Sequence, residues 1–366
     1  MTGYPFARTA AWALAATIAW AGWAVAQDAP ARPSQDRPFG GRPLPPPILR
    51  LFDRDGDGKL NAEEEARFRE DLRKRQAGGG QGAGRPTGAV RQRPLPEGTQ
   101  AYRDVHYGPH ETRNLYDLYV PKPAGEAKEA KPLPLVIWIH GGGWQNGNKG
   151  GGPALALLEQ GFAVATINYR LSGDAIFPAQ IHDCKAAVRH LRGKAKEYGI
   201  DPERFGVWGS SAGGHLVALV GTSGDVKELE GDVGEFTSVS SRVQAVCDWF
   251  GPTDFLKMGG RHDDAGSPES KLIGGPIQDN KELVAKANPI TYVSPDDPAF
   301  LIQHGDQDPA VPYNQSELLR DALEKAKVPV TLVCIEGEGH GGPGFNEPDK
   351  QRQVVEFFQK RLGAKK

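Results

Sequence analysis

The chain has 366 residues, of which 25% are charged, and a formal net charge of −2 at pH 7. A chain this close to neutral gives no reason to expect a nucleic acid as a partner. The three cysteines, Cys184, Cys247 and Cys334, do not form a disulfide framework, because their number is odd and none has a neighbour at metal-ligand spacing. We expect buried, unpaired packing residues, with a Cys184–Cys247 bridge as the alternative.

Residues 1–26 predict a secretory signal peptide. Arg8 precedes an uncharged run from Thr9 to Ala26, and this run ends in AVA, which has the small-x-small pattern of a cleavage site. The alternative is an uncleaved membrane anchor, because the run is near the lower length limit for crossing a bilayer. Either interpretation predicts an exported protein, periplasmic or extracellular, and no other stretch of the sequence is a candidate membrane span.

Residues 48–75 resemble a single EF-hand. Positions 53–64 have the sequence DRDGDGKLNAEE and fit the calcium-loop pattern D-x-[DN]-x-[DN]-G-x5-E. The predicted Ca²⁺ ligands are Asp53, Asp55, Asp57, the backbone carbonyl of Lys59, Asn61 and Glu64. The alternative is a charged, solvated turn. Because EF-hands usually pair and no second loop is found, we expect weak binding, and the sequence names no protein partner for this segment.

The EF-hand segment lies between two stretches without an expected fold. Residues 27–47 are rich in Pro, Arg and Gly, and we expect them to be disordered. Residues 76–98 are rich in Gly and Pro and predict a flexible linker.

Residues 99–366 predict an α/β domain. Short apolar runs such as PLVIWIH are typical of strands buried on both faces, and they alternate with stretches of helical spacing such as SELLRDALEKAKV. This alternation predicts a mostly parallel sheet covered by helices on both faces. In such sheets ligands bind at the carboxyl ends of the strands. We expect the loop-rich segment 257–294 to border that site and to determine substrate choice.

The stretch GSSAG, residues 209–213, follows a predicted strand and precedes a predicted helix. Read as G-x-S-x-G, it places Ser211, and not Ser210, at the centre of a sharp turn and predicts Ser211 as a nucleophile. Glycines on both sides relieve the crowding at such a turn. Earlier in the chain, HGGGW (residues 140–144) follows the strand VIWI and predicts the other half of an oxyanion hole. The predicted oxyanion donors are Gly142, Gly143 and Ala212, and we expect His140 to fix the loop.

The acid and the base are expected on loops after later strands. His340 is the predicted base. The motif HGDQD at residues 304–308 offers two candidates for the acid, Asp306 and Asp308. Weaker candidates for the acid are Asp254, Glu336 and Glu338. The remaining histidines considered are interpreted as helix or turn residues: His182, His190, His215 and His304.

Together these motifs resemble the α/β-hydrolase superfamily, and within it the HGGG-type carboxylesterases, which include hormone-sensitive-lipase-like and bifunctional feruloyl and acetyl-xylan esterases. The resemblance is carried by HGGGW, NYRLS, DPERFGVWGSSAGGHL and HGDQDPAVP. It implies an eight-stranded, mostly parallel sheet and a triad of Ser211, Asp308 and His340, since the family's acid falls on Asp308.

The resemblance also implies a reaction. It is hydrolysis of esters of small or aromatic acids through an acyl-enzyme, without a cofactor, on a small-molecule or carbohydrate ester. Two alternatives stay open at this point. One is an S9-like serine peptidase, and the other is a calcium-binding scaffold protein whose hydrolase fold is inactive.

Overall fold

The computed structural model describes residues 94–122 and 131–363, together with residues 61, 64 and 67. The predicted signal peptide, the Pro-rich segment, most of the EF-hand segment and most of the linker lie outside the described residues and stay predictions. Residues 61, 64 and 67 belong to a different unit of the chain from residues 94–363.

One eight-stranded sheet organises residues 94–363. The strands are β1 (Gln100–His106), β2 (Leu115–Val120), β3 (Leu133–Ile139), β4 (Ala163–Ile167), β5 (Ile200–Ser210), β6 (Ala245–Trp249), β7 (Ala299–Gly305) and β8 (Val330–Ile335). Their order across the sheet is β1-β2-β4-β3-β5-β6-β7-β8. The pairs β1–β2 and β2–β4 are antiparallel, and every pair from β4 to β8 is parallel. The predicted fold class, an α/β-hydrolase fold with a mostly parallel sheet, is confirmed.

Helices connect the strands and cover the sheet. The α-helices described in this domain are α1 (Ala179–Gly193), α2 (Ala195–Tyr198), α3 (Ala212–Thr222), α4 (Lys227–Glu230), α5 (Pro268–Ile273), α6 (Lys281–Ala287), α7 (Asn314–Lys325) and α8 (Pro348–Leu362). The 3₁₀ helices are Pro153–Gln160, Phe255–Lys257, Gly260–Asp263, Pro289–Thr291 and Pro343–Asn346. None of the helices in residues 94–122 and 131–363 is both long and apolar enough to cross a membrane.

The central strands are buried on both faces, as their apolar runs predict. Along β3, Leu135, Ile137 and Ile139 pack into one hydrophobic cluster, whereas Val136 and Trp138 pack into another. Because successive side chains of a strand point to opposite faces, these two clusters lie on the two sides of the sheet. The sheet is therefore packed on both faces up to the points where the loops at its carboxyl ends begin.

Two features differ from expectation. Strand β1 was not predicted, because its sequence QAYRDVH contains no apolar run and most of its side chains are exposed at the sheet edge. All three cysteines are free, and Cys184 and Cys247 are buried as expected. The expectation of burial is wrong for Cys334, which is exposed on the edge strand β8.

Candidate active site

Ser211 occupies a sharp turn between β5 and α3. Its backbone has φ 56° and ψ −123°, a positive-φ conformation that L-residues rarely adopt. A Cβ atom on Gly209 would overlap the Gly213 carbonyl, and one on Gly213 would overlap the Ile139 carbonyl. Both flanking positions of the motif therefore require glycine, and the turn holds Ser211 at the end of β5.

The structure brings Ser211, His340 and Asp308 into one hydrogen-bonded chain. His340 Nε2 lies 2.8 Å from Ser211 Oγ, and His340 Nδ1 lies 2.7 Å from Asp308 Oδ2. Because a carboxylate oxygen accepts, Nδ1 carries the proton, and Nε2 is left to accept from the serine hydroxyl. Ser210 also borders the cleft described below, but it is Ser211 that the imidazole contacts.

Asp308 is held as an anion by four donors. Its Oδ1 accepts from the N–H groups of Ala310 and Val311 at 2.7 and 2.9 Å. Its Oδ2 lies 2.7 Å from His340 Nδ1 and 3.2 Å from His304 Nε2. Burial alone would raise the pKa of Asp308, but the hydrogen bonds from His304, His340 and Val311 outweigh burial and hold this pKa well below its usual range.

The interpretation of His304 as a helix or turn residue is wrong, because His304 lies on strand β7. Its side chain is fully buried between Asp308, the Val311 carbonyl at 3.0 Å and the Ser316 hydroxyl at 2.6 Å. It is thus a neighbour of the acid that the sequence did not reveal. The signal available was its place at the end of β7, four residues before Asp308.

The other candidate acids lie elsewhere. Asp306 accepts the Gly337 N–H at 2.7 Å, so it holds the turn after β8 as expected. Asp254 pairs with Lys257 at 3.2 Å and contacts Asn288. Glu338 accepts the Gly344 N–H at 2.8 Å, and Glu336 is exposed. Among the candidates, only Asp308 contacts His340.

The glycine loop after β3 has an unusual backbone. Gly142, Gly143 and Trp144 all have positive φ, at 110°, 58° and 55°. Trp144 is buried and its indole N–H donates to His215 Nδ1 at 3.3 Å, which anchors the loop. Gly142 and Gly143 border the same cleft as Ser211, and Ala212 is the first residue of α3, where the N–H has no partner within the helix.

His140, at the start of this loop, contacts Tyr169 and the loop backbone. Its ring stacks on Tyr169 with centroids 4.5 Å apart, and its Nδ1 lies 2.7 Å from the Gly141 carbonyl oxygen. Burial lowers the pKa of His140 to about 4. These contacts agree with the expected role of fixing the loop.

A cleft of about 890 Å³ opens above Ser211. One side is formed by the glycine loop, Ser211, Phe250, Val311 and His340. Further lining comes from the chain between β6 and β7, within the segment expected to border the site. It contributes five polar residues, which we call the polar wall: Arg261, His262, Asp264, Ser267 and Glu269.

Two of the six predicted calcium ligands are described. The Asn61 N–H donates to Glu64 Oε2 at 2.9 Å, and the Glu64 N–H donates to Asn61 Oδ1 at 3.1 Å. This reciprocal pair has the hydrogen-bond pattern of a capping box, and Glu64 has helical conformation. The described residues do not include the other four predicted ligands, Asp53, Asp55, Asp57 and Lys59. The calcium site stays a prediction.

The arrangement can perform a definite kind of chemistry. A serine hydroxyl bonded to an imidazole, which is bonded in turn to a buried carboxylate, is suited to nucleophilic attack on an acyl carbonyl. The nearby backbone N–H groups of a glycine loop and a helix start are suited to a developing oxyanion.

Comparison with known proteins gives the chain a family. The BD-FAE family model matches residues 116–323. The esterase LipQ of Mycobacterium tuberculosis is 30% identical over 276 residues, which cover 72% of this chain and 64% of LipQ. The chain therefore spans less than two thirds of the length of that relative.

Two solved structures are similar. A truncated form of a carbohydrate esterase from gut microbiota has a TM-score of 0.66 and 36% identity, covering 72% of this chain and 96% of that one. An acetyl ester-xyloside bifunctional hydrolase from Caldicellulosiruptor lactoaceticus has a TM-score of 0.57 and 27% identity, covering 67% and 88%.

Proposed function

The chain belongs to the BD-FAE family, and we propose that it is a carboxylic ester hydrolase that uses Ser211 as its nucleophile. The observation that carries the proposal is the chain of contacts from Ser211 Oγ through His340 to Asp308, at 2.8 and 2.7 Å. The names of the similar proteins, an esterase and two carbohydrate or acetyl ester hydrolases, support the same class of reaction.

In the proposed mechanism, Ser211 Oγ attacks the ester carbonyl while His340 Nε2 takes its proton. Asp308 keeps the imidazole in the required tautomer and stabilises its charged form. The N–H groups of Gly142, Gly143 and Ala212 stabilise the oxyanion of the tetrahedral intermediate. His340 then protonates the leaving alcohol, and an acyl-enzyme remains on Ser211. Water, deprotonated by His340, attacks the acyl-enzyme, and the acid is released as His340 returns the proton to Ser211 Oγ.

The proposed substrates are esters of small or aromatic acids, including esters carried on carbohydrate. A cleft of about 890 Å³ is large enough for an ester with a ring on one side of the bond.

The test is hydrolysis of p-nitrophenyl acetate by the mature protein and by Ser211→Ala and Ser210→Ala. We expect Ser211→Ala to lose about a million-fold in kcat, which places it below detection, since removal of a triad nucleophile has that cost. Ser210→Ala is the matched control and should keep most of the activity. A protein that cleaves peptide p-nitroanilides but not the acetate would instead be a serine peptidase. A protein inactive on both would favour a scaffold with an inactive fold.

We further propose that the protein is exported and that residues 48–75 bind Ca²⁺. Mass spectrometry of the mature N-terminus tests cleavage of the predicted signal peptide, since a chain that begins at Gln27 is expected and an intact Met1 would contradict it. Calorimetry tests calcium binding. We expect a dissociation constant of roughly 10⁻⁴–10⁻³ M, with the binding heat lost in Asp53→Ala, and an unchanged heat in that variant would refute the site.

A further inference from the structure

The polar wall contains a second carboxylate–imidazole pair, separate from His340 and Asp308. His262 Nδ1 lies 3.0 Å from Glu269 Oε1, and both side chains are nearly buried, with 9% and 4% exposed. Because a carboxylate oxygen accepts, His262 Nδ1–H is the donor. Glu269 thus fixes the orientation of the His262 ring, and the other ring nitrogen, Nε2, is the end that is free to contact a ligand.

Both residues of this pair have polar atoms without a protein partner. Among the described residues, Glu269 Oε2 is buried and makes no hydrogen bond. Within the same part of the chain, His262 Nε2 is neither paired with a protein group nor sealed from solvent. An unsatisfied buried polar atom is costly in a folded protein, so such atoms often belong to a binding site. Both residues border the cleft that contains Ser211.

The chemistry of the pair indicates what binds there. In a neutral imidazole Nε2 accepts a hydrogen bond, and in a charged one it donates. A hydroxyl group satisfies either form, because it both donates and accepts. An alkyl chain satisfies neither form of the imidazole, and it would leave His262 Nε2 desolvated without a hydrogen-bond partner. A sugar presents several hydroxyls next to its ester bond, whereas a simple alcohol presents none.

We propose that His262, oriented by Glu269, binds a hydroxyl of the sugar that carries the ester and thereby selects sugar esters over esters of simple alcohols. His262 is then a specificity-determining residue in contact with substrate, and Glu269 is a positioning residue that acts through it. The proposal rests on the proposed function, ester hydrolysis at Ser211. A site built to bond a substrate hydroxyl discriminates strongly against an analogue that lacks it.

The test compares two esters of the same acid, an acetylated methyl xyloside and p-nitrophenyl acetate. Both form the same acetyl-enzyme, so a difference in kcat/KM between them reports only the alcohol portion. We expect His262→Phe to lose about tenfold or more in kcat/KM on the xyloside ester, the effect of one lost hydrogen bond to a polar group. On p-nitrophenyl acetate, which offers no hydroxyl to His262, the same variant should lose clearly less in kcat/KM than on the xyloside ester.

Three further variants complete the experiment. Glu269→Gln should lower kcat/KM on the xyloside ester by less than His262→Phe does, mainly through a higher KM. If His262→Phe does not fold, His262→Gln replaces it. His182→Phe is the matched control, because His182 lies on α1 and bonds the Glu228 carbonyl outside the cleft. His182→Phe should change kcat/KM on neither ester.

The outcomes separate this proposal from the proposed function. Equal losses on both esters, or hydrolysis of p-nitrophenyl acetate with none of the xyloside ester, overturn the role of His262 and leave the esterase intact. No hydrolysis of either ester by the unsubstituted protein overturns the esterase and the role of His262 with it.

Discussion

Asp248→Asn should change how stability depends on pH. Asp248 lies on β6 and is fully buried; its Oδ1 accepts the Gly251 N–H at 2.9 Å. Within residues 94–122 and 131–363, nothing bonds its Oδ2. Burial raises the pKa of Asp248 from 3.8 to about 7. Asparagine has the same shape, keeps the acceptor for Gly251 and carries no charge, so the substitution isolates the cost of burying a carboxylate.

Linkage between protonation and folding gives the direction and size of the expected change in unfolding free energy. The folded protein holds the Asp248 proton up to about pH 7, whereas the unfolded chain loses it near pH 4, so the contribution of Asp248 to stability is present below pH 4 and is lost as the pH rises to 7. A shift of about three pKa units corresponds to about 4 kcal/mol. The Asn variant avoids this loss. Relative to the unsubstituted protein it should therefore gain up to about 4 kcal/mol between pH 4 and pH 8.

Urea unfolding followed by tryptophan fluorescence at several pH values between 4 and 8 measures this gain. Other buried groups titrate in the same range, since burial lowers the pKa values of His140 and His215 to about 4. Their contributions cancel when the two proteins are subtracted at each pH. A difference in unfolding free energy that does not change with pH would refute the reasoning, because it would mean that Asp248 is already ionised in the folded state.

Three other substitutions test the site. Asp308→Asn should lower kcat on p-nitrophenyl acetate by about ten-thousand-fold, because the imidazole loses its required tautomer, while Asp306→Asn should keep most activity; the reverse result would move the acid to Asp306. His304→Leu should lower kcat by about tenfold with little change in KM, since it removes one hydrogen bond to the Asp308 carboxylate, and an unchanged kcat would show that His304 serves packing alone. Gly213→Ala should cost about 1–3 kcal/mol of unfolding free energy by crowding, against no loss for the control Gly173→Ala, where a Cβ meets open space; equal thermal midpoints for the two would contradict the crowding at Gly213.

Patterns that are local in sequence predicted most of the fold and the reacting groups. Apolar runs located the buried strands, and the glycines around Ser211 located the turn, because these features depend on neighbours along the chain. Strand β1 was not predicted, since an edge strand does not need an apolar sequence. The contact between His304 and Asp308 was not predicted either, because the local sequence does not distinguish a buried histidine from one in a turn.

The pairing of His262 with Glu269 is a second contact that the sequence alone does not predict. They are seven positions apart in a segment rich in charge, and each alone is typical of a solvated loop. Only the packing of α5 against the preceding 3₁₀ helix buries both and turns them into a pair. Long-range burial of polar groups is set by tertiary structure, and one sequence does not report it.

The nucleophile, the acid and the base follow β5, β7 and β8, whereas the polar wall lies wholly in the chain between β6 and β7. On the proposed role of His262, reactivity and selectivity are therefore encoded on different stretches of the chain. Substitutions within residues 261–269 would then change the preferred ester without replacing Ser211, His340 or Asp308. For a protein engineer, that stretch is the natural unit to graft from one relative to the next.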